Sequence, residues 1–434
     1  MSSEFNNGLI PGAAGEVCLY QDGKLAGSVP RFVISLTMCV REKELEDAVN
    51  ETIHLFPQLA AGVRLSGESL ELYPVCNHIP VSEEAAGEYP GSGIGNTETR
   101  EYLFRVTYSG KTVFFDWHLS LCDERGMAEF VKSVIFRYLQ LCGFDVSNDG
   151  SVKDNHTPST LMEGMDPYAR LEDIPASRPV WYMDAKSFSA PLHPEVSDYV
   201  YQIRIPLSKI KGQVRQYLSQ PEAFISPVFS HVLYEKYVNE ISEGEYIVSY
   251  IRENLRPHFP SASLRLFFSP LTLAYNRNLA EYPVTTILMS QKKLLDAQLR
   301  NDALAYSARR LVDMSENACD SSLSISEKIS RSGSVLEKVS DTATFSICNL
   351  GNTVMPETLQ QYITEFYPIF PASRFAYSLT VVNFKGDLQV TVATKDGDRT
   401  LPFRFASVLN SQDVYAFVAD EFRFKQLDYI PKTK

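Results

Sequence analysis

The stretch from Phe115 to Gly126 holds the residues best suited to chemistry: an apolar run ending in His118, a turn through Leu119, Ser120, Leu121 and Cys122, then Asp123 and Gly126. A neutral imidazole can take a proton from an alcohol or an amine near pH 7. With an aspartate at the same strand-to-helix corner, these are the parts of a general-base acyl-transfer site. Asp123 also suits the N-cap of the helix that follows, where a short carboxylate accepts from free backbone N–H groups. The two roles are compatible.

Other chemistry finds less support. The remaining histidines (His54, His78, His156, His193, His231 and His258) show no i,i+4 pair and no H-x-E spacing, so no metal site is expected. Cys122 has no base placed beside it and reads as a buried, inert thiol. No G-x-S-x-G elbow, P-loop or G-x-G-x-x-G loop occurs, and Gly91 to Gly95 has the wrong spacing in a polar loop. Lys292 with Lys293, and Lys209 with Lys211, offer charge for a phosphate but equally read as solvated faces.

The elements that must position the corner alternate between strand and helix. Arg31 to Met38 is rich in β-formers, and Lys43 to Leu55 places Leu45, Ala48, Val49 and Ile53 at helical spacing. Gly62–Leu65 and Leu70–Tyr73 read as a hairpin, as do Phe104–Tyr108 and Thr112–His118. Met127 to Leu141 is an amphipathic helix with Phe130, Val134, Tyr138 and Leu141 on one face, closed by Gly143. Val146 to Pro194 turns polar and Pro-dotted, which predicts a crossover. Beyond it the pattern predicts strands at Tyr199–Ile205, Ile247–Tyr250, Thr344–Cys348, Ala376–Phe384 and Asp387–Thr394. Helices are expected over Ser208–Leu218, Ala223–Tyr237 and within Asp313–Asp341. Such a mixture used twice is an α/β chain, an α+β two-layer sandwich repeated.

Length and composition bound the rest. The 434 residues, 44% hydrophobic, can bury a sizeable core and suggest two half-units. A formal net charge of −12 argues against a nucleic-acid partner. No long apolar run predicts a membrane span, and Met1–Asn7 lacks the features of a secretory signal. Seven scattered cysteines without a C-x-x-C pair fit reduced thiols, so a soluble cytoplasmic protein is expected.

Four stretches taken together resemble one family. Phe56-Pro57-Gln58-Leu59 looks like its "RFPYL" stretch, and Trp117-His118 through Asp123 and Gly126 looks like its HxxxD motif. Asn254 to Ser261 with Leu264-Arg265 looks like its "NLRKFFPSKTLRNF" stretch. Ser346 to Gly351, followed by Pro356, is similar to its "SNLG" turn. The family is the HxxxD-type CoA-dependent acyltransferases, especially the bacterial alcohol acetyltransferases. Chloramphenicol acetyltransferase, the plant acyltransferases and the condensation domains of peptide synthetases share its superfamily.

The resemblance implies two chloramphenicol-acetyltransferase-like half-units, 1–185 and 186–434, forming a pseudo-dimer with a tunnel between them. It implies an acyl-CoA or acyl carrier thioester as co-substrate, a small alcohol or amine acceptor, no bound cofactor, and a carrier protein, if any, acting in trans. The family's histidine would act as general base, and its aspartate would pair with an arginine to hold the corner. By position Asp123 is that aspartate and Arg256 the candidate arginine.

The chain departs from the motif in one respect that matters. The family's base lies four residues before the aspartate, where this chain has Leu119, and the glycine after the aspartate is Glu124. Side chains alternate faces along a strand, so a one-residue slip turns His118 away unless a bulge re-aims it. Two functions follow. One is an acyltransferase moving an acyl group such as acetyl with His118 as base. The other is an inactive relative that keeps the fold as a ligand-binding or interaction module.

Overall fold

The computed structural model describes residues 9, 11–22, 27–84, 93–158, 160–179, 186–192, 198–217, 220–425 and 427–433. The Met1–Asn7 stretch, Gly91, Ser92, His193 and Pro194 lie outside them.

Fifteen strands run in chain order among the described residues. The first six are β1 (Arg31–Leu36), β2 (Ala61–Ser66), β3 (Ser69–Pro74), β4 (Val81–Glu83), β5 (Phe104–Ser109) and β6 (Thr112–Trp117). The second half supplies β7 (Lys186–Ser187), β8 (Asp198–Pro206), β9 (Glu245–Asn254), β10 (Phe268–Tyr275), β11 (Phe345–Asn352) and β12 (Ile363–Ile369). It closes with β13 (Tyr377–Phe384), β14 (Asp387–Thr394) and β15 (Phe417–Phe424). A five-stranded sheet has the order β12-β1-β6-β5-β4, and an eight-stranded sheet runs β10-β9-β11-β13-β14-β8-β15 with β7 beside β9. β2 and β3 form a separate hairpin.

The five-stranded sheet carries the candidate corner, and its register is fixed by charge as well as by apolar packing. β1 pairs with β6 so that Arg31 faces Asp116. Arg31 Nε donates to Asp116 Oδ1 at 2.8 Å, and Glu84 and Arg105 complete a buried quartet around them. A buried ion pair that loses one partner leaves an uncompensated charge, so this register resists slipping. Phe56, Phe104 and Phe115 pack edge-on around Phe130 of the Glu124–Leu141 helix, which covers one sheet face.

The structure extends some expected elements and replaces others. The Met127–Leu141 helix begins at Glu124, and the Ile247–Tyr250 strand lengthens to Asn254. Over Ser208–Tyr217 the chain makes 3-10 turns at Leu207–Lys209 and Gly212–Tyr217 instead of the one helix expected to Leu218, which lies outside the described residues. There the backbone is diverted into a bridge between Ile210 and Val414, and the Lys211 N–H donates to the Asp413 carbonyl at 3.1 Å. The Asp313–Asp341 segment is the end of one helix, Asn301–Ala318, and all of another, Ile325–Ser340, started by a capping box between Ser324 and Glu327. β12 is unanticipated. It lies far beyond residue 185 in the chain yet adds antiparallel to β1, from Arg31↔Ile369 onward. Among the described residues no helix is long and apolar enough to cross a membrane, and all seven cysteines are free.

Candidate functional site

β6 ends at Trp117, and its indole N–H donates to the Cys122 carbonyl at 3.1 Å, closing the corner as a tight loop. Neither edge of β6 has a register shift: it pairs evenly with β1 and, through Trp117↔Phe104, with β5. No bulge re-aims His118. Its N–H continues the ladder to the Leu103 carbonyl at 2.9 Å, and the Leu119 N–H goes to Ser28 at 2.9 Å.

The imidazole is wholly buried and packs on the ring of Tyr429, with centroids 4.1 Å apart. Nδ1 lies 2.7 Å from Ser120 Oγ and accepts from the Ser120 N–H at 3.3 Å. These bonds assign the proton to Nε2, which faces the Cys18 backbone without full hydrogen-bond geometry. Burial holds the ring pKa down at about 3, against a weaker opposing influence of the Cys18 backbone. The ring is therefore neutral, with its one acceptor nitrogen already engaged.

Leu119 faces the other way. It lines a cleft of about 910 Å³, including its solvent-open part, and His118 does not. Walls come from the Ala13–Leu19 helix, β9, the start of β10, the Asn301–Ala318 and Ile325–Ser340 helices, β11, and the loop from Phe370 to Phe375. A larger cleft, about 1960 Å³, is lined by Ile53, His54, Pro57, Cys76, His78 and Leu161 among others, and contains no part of the corner.

Asp123 and Arg256 come together. The carboxylate accepts from Arg256 Nη1 at 2.6 Å and also caps the helix by accepting from the Gly126 N–H at 2.9 Å. Arg256 is further tied to the Ser263 and Arg265 carbonyls at 2.9 and 2.7 Å. Burial raises the Asp123 pKa, while the Arg256 charge opposes the rise; the Arg256 pKa is lifted by the same partner against burial. Gly126 is required by a close approach: a Cβ there would sit 2.3 Å from the Leu264 carbonyl oxygen. Glu124, in the place of the motif's glycine, is buried and reaches Arg252 of β9 at 3.5 Å.

Sequence reasoning assigned no part to three arginines that surround this corner. Arg265 is fully buried and donates to the Ser120 and Leu121 carbonyls at 3.3 and 2.9 Å, bracing the turn from beneath. Arg252 and Arg374 line the cleft. The available signals were an arginine within an otherwise β-forming run, at Arg252, and the place of Arg265 in the motif-like stretch that also holds Arg256. The other candidates stand apart: Lys292 pairs with Asp296 at 2.8 Å, Lys209 and Lys211 are exposed, and His258 meets Glu253 at 3.1 Å. No group of His, Cys, Asp or Glu among the described residues is arranged to hold a metal ion.

The chain as a whole is similar to several solved structures. It matches polyketide synthase associated protein 5 from Mycobacterium tuberculosis with a TM-score of 0.60 at 11% identity, over 94% of this chain and 98% of that one. F. graminearum TRI101, complexed with Coenzyme A and deoxynivalenol, matches with a TM-score of 0.59 at 11% identity, over 92% and 98%. A mutant starter condensation domain of rhizomide synthetase RzmA, in complex with C8-CoA and Leu-SNAC, matches with a TM-score of 0.56 at 12% identity, over 93% of each chain. The fold is the CoA-acyltransferase and condensation-domain fold. No family model and no curated protein sequence matches the chain. In this acyltransferase-like fold the corner lies where β6 hands over to the helix begun by Asp123.

Proposed function

We propose that this chain is a ligand-binding relative of the CoA-dependent acyltransferases whose cleft has lost its general base. Leu119 carries the reading: it is the residue four before Asp123, it lines the cleft, and a leucine can neither accept nor deliver a proton. Two half-units, 1–185 and 186–434, would meet at this cleft, the remnant of a tunnel for an acyl thioester and an acceptor. Asp123 with Arg256 keeps the corner in shape, and Glu124 supplies a partial counter-charge to Arg252 from the position of the missing glycine.

The competing reading is acyl transfer from a CoA or carrier-protein thioester to an alcohol or amine, with His118 as base. Its one favourable observation is that Nδ1 lies 2.7 Å from Ser120 Oγ, because the tautomer in which Nδ1 donates to that oxygen would leave Nε2 as the acceptor a base needs. It requires the corner to turn the ring off Tyr429 and into the cleft, against the even register of β6.

Thiol release from a panel of acyl-CoA donors, with alcohol and amine acceptors, separates the two. The binding reading expects no acceptor-dependent release from the native chain, and the appearance of measurable release in Leu119→His. Native turnover that disappears in a folded His118→Ala variant would establish the acyltransferase instead.

A further inference from the structure

The cleft walls are apolar at Val17, Leu119, Leu266, Val335 and Leu336, yet two guanidinium groups open into them, Arg252 and Arg374. Among the described lining residues there is no aspartate or glutamate. Arg252 stacks over the rings of Phe268 and Phe370, each 4.7 Å from its carbon, which fixes it facing the cleft. Its carboxylate neighbour, Glu124, stands off at 3.5 Å, and the Arg252 Nε has no partner. Arg374, in the loop between β12 and β13, donates through Nη2 to Gln21 Oε1 at 3.1 Å. Its Nε is also buried and unpartnered.

Two cations share this apolar cleft and only Arg252 has a carboxylate partner, Glu124, so one positive charge is left without a counter-ion, and burying unpaired charge is costly. The deficit is local, because the chain as a whole carries a formal net charge of −12. Burial, with a smaller contribution from the Arg252 charge, draws the Arg374 pKa down to about 10, whereas Glu124 lifts that of Arg252 against burial.

We propose that the cleft binds an organic carboxylate, its anion held by Arg374 and Arg252 and its apolar body laid along Leu119, Val335 and Leu336. The inference rests on the reading that the cleft is this chain's ligand site, and it names the chemistry of that ligand. A thioester carries no charge at its carbonyl and would leave Arg374 without a counter-ion, Arg252 having Glu124 alone. A carboxylate supplies two acceptor oxygens for the unpartnered N–H groups, and the binding involves no bond-making step.

Calorimetric titration of the full chain with octanoate, with octanol and with CoA provides the test, repeated on Arg374→Gln and on Leu336→Trp, which fills the apolar wall. Octanoate is expected to bind roughly 10-fold or more tighter than octanol, the size of one charge-assisted hydrogen-bond pair. Arg374→Gln should abolish that preference, and Leu336→Trp should weaken both ligands. Equal affinity for octanoate and octanol, or a preference unchanged in Arg374→Gln, overturns the carboxylate proposal while leaving the cleft as a ligand site. Binding of CoA alone overturns the carboxylate proposal but keeps the cleft as a ligand site; failure of all three probes to bind overturns the cleft reading itself.

Discussion

His118 is buried against Tyr429 and does not line the cleft that Leu119 lines. Burial sets the ring pKa at about 3, against 6.5 for an ordinary histidine, so the folded chain keeps it neutral where the unfolded chain protonates. Stability from this residue is thus complete above about pH 6.5 and is lost as pH falls from there toward 3. Between pH 6.5 and 5 the loss should be about 2 kcal/mol, at 1.36 kcal/mol per unit. Urea unfolding of His118→Asn should show a shallower decline over that range than the native chain; an equal decline would mean that His118 is not its source. Asp123→Asn isolates the ion pair, because asparagine keeps the N-cap while stranding Arg256. A loss of about 3–5 kcal/mol is expected in the same assay. Asp123 and Arg256 were legible in the sequence because each sits in a motif-like stretch. The aim of His118 was not, since it depends on the register of β6, held by Arg31 and Asp116 some 85 positions apart in the chain.

At the scale of elements, the corner depends on a helix start pressed against a distant loop. Any side chain at Gly126 meets the Leu264 carbonyl, a backbone atom that cannot rotate aside. Gly126→Ala should therefore lower stability by roughly 1–3 kcal/mol, seen as a reduced melting temperature, although alanine is the better helix former. An unchanged or raised melting temperature would show that the Leu264 loop yields. The helices Glu42–Thr52, Glu124–Leu141 and Glu222–Tyr237 and the β2–β3 and β5–β6 hairpins could be read from the sequence because their apolar periods are local. The helices Val284–Gln298 and Leu401–Ser411 were not anticipated. The 3-10 turns replacing a helix over Ser208–Tyr217 could not be read from the sequence, since their backbone is claimed by Asp413 and Val414 from the far end of the chain. β12 was missed for a related reason: it becomes a strand by adding to the edge of β1.

Across the whole molecule, β12 joins the two sheets. It pairs along β1, while its Glu365 reaches Arg204 of β8 in the other sheet at 2.8 Å, so neither sheet can open without disturbing the other. Tyr429 adds a second tie, with its hydroxyl on the Leu19 carbonyl at 2.8 Å and its ring over His118. Denaturant unfolding followed by fluorescence and by circular dichroism should give one coincident transition; two separated transitions would show that the sheets unfold independently. The same architecture leaves Leu119 at the cleft and His118 behind it, and the function turns on that placement. Its most direct test is acceptor-dependent thiol release from acyl-CoA by the native chain, His118→Ala and Leu119→His, measured side by side on protein confirmed to be folded. The predicted result is no release from the first two and measurable release from the third. Release by the native chain that is lost in His118→Ala would contradict it.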